Sequence, residues 1–117
     1  MSARTNAEAF AILANFSRDV AQLYGAELKG VFLFGSRARG DQTLDSDADV
    51  AIILAGKDMD FWREKSRIGG IAYEYLLETG LYIQDFPIAE SEWINPPEDR
   101  DLILAAKQDA VDLLVHT

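Results

Sequence analysis

A small mixed β-sheet with helices packed on it, an α/β (α+β) unit, is the architecture this chain predicts. Two observations carry that reading. Stretches with apolar residues at intervals of three and four alternate with short runs of apolar, β-branched and aromatic residues, in the order α-β-β-α-β-α. The 117 residues show no repeat, linker or low-complexity stretch, which fits one domain over residues 1–117. A chain of this size buries roughly two-thirds of its unfolded surface, enough for one sheet and its covering helices.

The first helix is capped by the spacing of Thr5 and Glu8, carries Phe10, Leu13, Phe16, Val20 and Leu23, and stops at Gly25. Val31 to Phe34 reads as a buried strand that breaks at Gly35-Ser36, and Val50 to Leu54 as a second, introduced by Asp47-Ala48-Asp49. Asp60 to Glu78 is helical, with Phe61, Ile68, Ala72, Tyr75 and Leu76 on one stripe. Gly69-Gly70 weakens that helix unless the pair marks a close packing point. Thr79-Gly80 ends it, and Leu81 to Phe86 is a third strand closed by Pro87. Ala89 to Pro97 reads as loop, and Asn95 to Asp99 opens a last helix bearing Leu102, Ile103, Ala106, Ala110, Leu113 and Leu114.

Composition excludes several classes of function. With no cysteine there is no disulfide framework, thiolate zinc site or cysteine nucleophile. At 49% hydrophobic and 26% charged residues the chain is not globally disordered. No apolar run approaches the roughly 20 residues that span a bilayer. The N-terminal MSARTNAEAF is interrupted by Arg4, Asn6 and Glu8, so no signal peptide is read and the cytoplasm is expected. The net charge of −9 repels phosphate backbones, so direct nucleic-acid binding is not expected and a basic partner is.

The segment that carries chemistry is GSRARGDQTLDSDAD, Gly35 to Asp49. A strand ending in Gly-Ser leaves backbone N–H groups unpaired where the chain turns, and glycine lets that backbone approach a ligand. Arg37 and Arg39 add fixed positive charge suited to a polyphosphate. The spacing of Gly35 and Gly40 fits a P-loop, but Asp41-Gln42 stands where its Lys-[Ser/Thr] must be. Asp45, Asp47 and Asp49 open like a calcium loop, but Val50 and Gly56 replace its glycine and its terminal glutamate. Asp47 and Asp49 remain, two apart at the mouth of a strand, on one face and repelling each other until a divalent cation joins them. Asp85 in LYIQDFPI is the candidate third carboxylate, one that would let two ions bind. Gln84 has the opposite parity, so at most one of the two faces the site.

Together GSRARG and SDADV resemble the signature of the minimal nucleotidyltransferases, small members of the DNA polymerase β-like superfamily, and the likeness covers nearly the whole chain. It falls on Gly35, Ser36, Gly40, Asp47 and Asp49. The resemblance implies a polymerase β palm-like fold. It also implies transfer of a nucleoside monophosphate, AMP from ATP, to a hydroxyl, with two Mg2+ ions (or Mn2+) and release of pyrophosphate. By the same resemblance Gly35, Ser36, Arg37, Arg39 and Gly40 would bind the nucleotide. Asp47, Asp49 and Asp85 would be the catalytic metal ligands, although the neighbourhood of Asp85 departs from the plainer family pattern. Larger relatives add a helical domain, so a partner is expected to supply the second wall, as in pairs of such proteins with helical HEPN-domain toxins. The expected function is therefore that of an antitoxin that modifies its partner protein, with homo- or hetero-oligomerisation left open. The rivals are a binding module that masks a helical partner by contact alone, and transfer to a small hydroxyl compound such as an aminoglycoside.

The remaining polar and aromatic residues read more simply. His116 belongs to the tail, and Trp62, Trp93, Tyr73, Tyr75 and Tyr82 read as core or interface aromatics. Glu90, Glu92, Glu98, Asp99 and Asp101 form a solvated face, and Lys57, Arg63, Lys65 and Arg67 a solvated basic one.

Overall fold

The computed structural model describes residues 6–41 and 47–114. Thr5 of the expected cap, Asp45 of the aspartate run and His116 lie outside the described residues. The first helix, α1, is Asn6–Tyr24, followed by a single 3-10 turn and the strand β1, Leu28–Phe34. A short helix α2 (Ser36–Arg39) precedes β2 (Ala48–Leu54), α3 (Phe61–Thr79) and β3 (Ile83–Ala89). The chain closes with α4 (Glu90–Ile94), α5 (Asp101–Asp109) and the two-residue strand β4 (Val111–Asp112).

The four strands form one mixed sheet in the order β3-β2-β1-β4. β1 runs antiparallel to both β2 and β4, and β3 runs parallel to β2. Alternation along β2 divides the core in two. Ala48, Val50, Ile52 and Leu54 join Leu13, Phe16 and Val20 of α1 and Ile68 and Ala72 of α3. Ala51 and Ile53 join Phe34, Ile88 and the α5 residues Ile103 and Ala106 on the other face. Helices therefore cover both faces, which explains why the strands read as continuous apolar runs.

Two buried contacts tie α1 to α3. The Tyr24 hydroxyl donates to Glu64 Oε1 at 2.6 Å, and Phe16 meets the Tyr75 ring edge-on with centroids 5.8 Å apart. Asp60 caps α3 by accepting from the Arg63 N–H at 3.2 Å, and Gly80 ends it at φ 81°.

Several boundaries differ from the sequence reading: β1 begins at Leu28 rather than Val31 and β3 at Ile83 rather than Leu81. β3 continues through Pro87 to Ala89. It is an edge strand, where one missing backbone donor need not break the ladder. The expected loop after Ala89 contains α4. The last helix stops at Asp109, and Leu113 follows the sheet instead, its N–H donating to the Val31 carbonyl at 2.8 Å.

The candidate functional site where β1 turns toward β2

The site forms where β1 ends beside the start of β2. Phe34 is in register with Asp49, so the next residue, Gly35, turns directly against that carboxylate. Gly35 has φ 78° and ψ −157°, a conformation essentially reserved for glycine. A Cβ there would lie 2.6 Å from Asp49 Oδ2, so the backbone angle disfavours any side chain and the close approach would displace the carboxylate. Ala38 and Arg39 donate their N–H groups to the Gly35 carbonyl at 3.1 Å, and Gly40 ends the turn in the left-handed region, its N–H reaching the Ser36 carbonyl at 3.0 Å.

Asp49 belongs to the face of β2 that packs on α5, flanked in register by Phe34 on β1 and Gln84 on β3. Its carboxyl titrates above the ordinary range, first because burial disfavours the anion and second because Asp47 carries a like charge. The Arg39 guanidinium partly opposes both. Asp47 is exposed and accepts a hydrogen bond from Gln84 Nε2 at 3.2 Å. The structure thus brings Gly35, Asp47, Asp49 and Gln84 together, with Ser36 and Gly40 shaping the turn.

The two arginines differ. Arg39 is half exposed and bridges Asp41 at 3.1 Å and Asp109 at 2.9 Å, beside the acidic pair. Arg37, expected from the sequence to bind the nucleotide, is only 2% exposed, one of the largest fully buried side chains.

Asp85 is the clearest correction. It is in register with Val50, whose side chain faces α1 and α3, so Asp85 lies on the opposite face of the sheet from Asp49. There Lys65 of α3 donates to its carbonyl and, at 3.2 Å, to its Oδ1, while the buried Oδ2 has no hydrogen-bond partner. The residue expected as third ligand therefore lies under α3, and Gln84 stands beside Asp49. The run LYIQDFPI carries the parity of the two residues but not their phase, because both faces of β3 are covered.

Two close, mutually repelling carboxylates suit a hard divalent cation that takes oxygen ligands. Among the described residues no third histidine, cysteine or acid joins them in a metal-holding cluster. Three residues of the basic patch are engaged by acids: Arg63 and Arg67 pair with Glu64 of α3 at 3.5 and 3.1 Å, and Lys65 with Asp85 of β3 at 3.2 Å. Trp93 stacks on Phe32 in the α5-side core, whereas Trp62 and Tyr73 stand in solvent. No described helix is long and apolar enough to cross a membrane.

Comparison with known proteins agrees with this fold. The profile of a family described as "Nucleotidyltransferase domain" matches residues 13–115. A Methanocaldococcus jannaschii protein named for protein adenylyltransferase activity is 38% identical over 76 residues, which cover 65% of this chain and 75% of the relative. Among solved structures, a Sulfolobus solfataricus protein described as a nucleotidyltransferase superimposes with a TM-score of 0.67 at 21% identity, covering 92% of this chain and 80% of its own. A toxin–antitoxin structure with AMP-PNP superimposes with a TM-score of 0.56 at 17% identity, covering 86% of this chain and 71% of that one. At those identities the two structures establish the fold alone.

Proposed function

We propose that this chain, which belongs to the nucleotidyltransferase family whose profile spans residues 13–115, transfers AMP from ATP to a hydroxyl of a partner protein. The observation that carries the proposal is the contact between the Gly35 turn and Asp49: a backbone able to approach phosphate lies against a carboxylate pair able to hold a cation. The name of the M. jannaschii relative supports adenylyl transfer to protein, and the toxin–antitoxin neighbour with AMP-PNP supports an adenosine triphosphate as donor and a toxin as partner. In this reading the partner is a helical, HEPN-type protein that supplies the second wall of the pocket, and the chain is its antitoxin, a single nucleotidyltransferase domain working in the cytoplasm.

The residues divide the work. The turn at Gly35 and Ser36, closed by Gly40, seats the β- and γ-phosphates through its backbone N–H groups, and Arg39, released from Asp41 or Asp109, adds charge. Asp47 and Asp49 would hold Mg2+ or Mn2+, whose chemistry there is to neutralise charge between carboxylates and polyphosphate oxygens. The acceptor oxygen forms a bond to the α-phosphorus as the bond to the β-phosphate oxygen breaks. Pyrophosphate leaves and the hydroxyl proton passes to water.

Incubating the chain and its co-purified partner with labelled ATP and Mg2+ tests this. Label should appear on the partner and be lost in Asp47→Asn and Asp49→Asn by about 10²-fold or more, the scale of removing a transition-state charge contact. No label on any partner refutes transfer. The placement of Asp85 under α3 favours a second reading, contact-only masking, in which both variants would still neutralise the partner.

A further inference from the structure

We infer that Gln84 is the third member of the acidic site, a positioning residue that holds Asp47 beside Asp49 and leaves the site built for a single divalent cation. The inference rests on the cation-binding reading of Asp47 and Asp49, and it follows from strand register and one hydrogen bond.

In the sheet, Asp49 has one in-register neighbour on each side, Phe34 and Gln84, and neither carries charge. β3 is the edge of the sheet among the described residues, so no described strand brings a carboxylate from that side. The nearest acid in sequence, Asp85, is turned to α3 and held by Lys65. Among the described residues, then, the protein's anionic donors to the site are two, and Gln84 occupies the place where a third would stand.

A glutamine there does what a carboxylate could not. Its Nε2 donates to Asp47 Oδ2 at 3.2 Å, fixing a side chain that lies just before β2 and is otherwise exposed. A carboxylate at the same place would add a third like charge to a pair already in repulsion. The amide holds the first acid in place without cation and keeps Oε1 as a neutral acceptor. Outer partners of this kind orient metal ligands, and removing one typically weakens metal binding by about 10–100-fold.

The test titrates the cation-free chain with Mn2+ alone, near neutral pH, without nucleotide or partner, reading free Mn2+ by electron paramagnetic resonance. Wild type should take up one Mn2+. Gln84→Leu should weaken that uptake by about tenfold with an unchanged melt, because the side chain is partly exposed and only the grip on Asp47 is lost. Gln84→Glu should tighten it by about tenfold or admit a second ion, since ligand charge sets affinity. Asp85→Asn should leave the Mn2+ curve unchanged. Wild-type curves for both Gln84 variants, or an Asp85→Asn curve as weak as that of Asp47→Asn, would overturn the inference. If Asp47→Asn and Asp49→Asn also bind like wild type, the cation site itself falls and the inference with it. If the Mn2+ pattern holds but no AMP is transferred, the proposed reaction fails and the assignment of Gln84 stands.

Discussion

Gly35→Ala makes a sharp test of the site, because it perturbs two things whose sizes can be separated. The backbone at φ 78°, ψ −157° lies in a region costing a non-glycine residue about 1–3 kcal/mol. The new methyl would also sit 2.6 Å from Asp49 Oδ2, about 0.8 Å inside ordinary contact, so the carboxylate must retreat by about that much. For a domain of this length each kcal/mol moves the melting temperature by roughly 4 °C, which predicts a fall of about 4–12 °C. Gly40→Ala is the control. It shares the positive φ, at 82°, but a Cβ there meets nothing within 4 Å. It should lose about 1–2 kcal/mol from the left-handed backbone alone. The discriminating readout is the rise in melting temperature on adding Mn2+, which reports binding to the folded state. Gly40→Ala should keep that rise and Gly35→Ala should lose most of it, because only Gly35 touches an acid. A Gly35→Ala protein that melts within about 1 °C of wild type and responds fully to Mn2+ would refute the claim that the turn and the acids form one site.

Four further outcomes are expected. Gly70 lies inside α3 with open space where a Cβ would be, so Gly70→Ala should stabilise the chain by about 0.5–1 kcal/mol in a denaturant titration; a loss of stability would mean that face of α3 is covered. Because burial and Asp47 raise the Asp49 carboxyl, the folded chain binds that proton more tightly than the unfolded chain does. Ionised Asp49 therefore disfavours folding, and the penalty is relieved as pH falls through its folded-state pKa. In cation-free melts, Asp49→Asn should exceed wild type at pH 7 by a margin that shrinks toward pH 4, and a margin independent of pH would refute the cause. Lys65→Met leaves the Asp85 carboxylate buried without its partner and should destabilise by about 2–3 kcal/mol, reduced from the fully buried case because Lys65 is 34% exposed, with much of the loss recovered on adding Asp85→Asn. Asp85→Asn alone should keep AMP transfer within about threefold of wild type, and collapse of transfer would return Asp85 to the reaction.

The parts of the fold that could be read from the sequence are those where one local pattern decides. The α1 stripe at Leu13, Phe16 and Val20 packs as its spacing dictates, and β1 and β2 are the buried runs their composition announces. The break at Gly35-Ser36 was legible too, because a conformational demand on a single glycine is a local fact. What was not legible depends on partners. Leu113 keeps helical spacing with Ala110, yet it continues the sheet because β1 still has an open edge there. The phase of β3 is the decisive case. Helices on both faces remove the polar side that would orient a strand, so Gln84 and Asp85 present themselves equally until β2 fixes the register. The acidic pair also lies where coverage gives out. Ala51 and Ile53 are buried with α5 residues, whereas Asp49, two residues earlier on the same face, is only partly buried and Asp47 is exposed. The same strand that secures the core thus carries its carboxylates out to the uncovered end of the sheet. A cation bound there acts on a scaffold already rigid, and the substitutions that disable it need not unfold the chain.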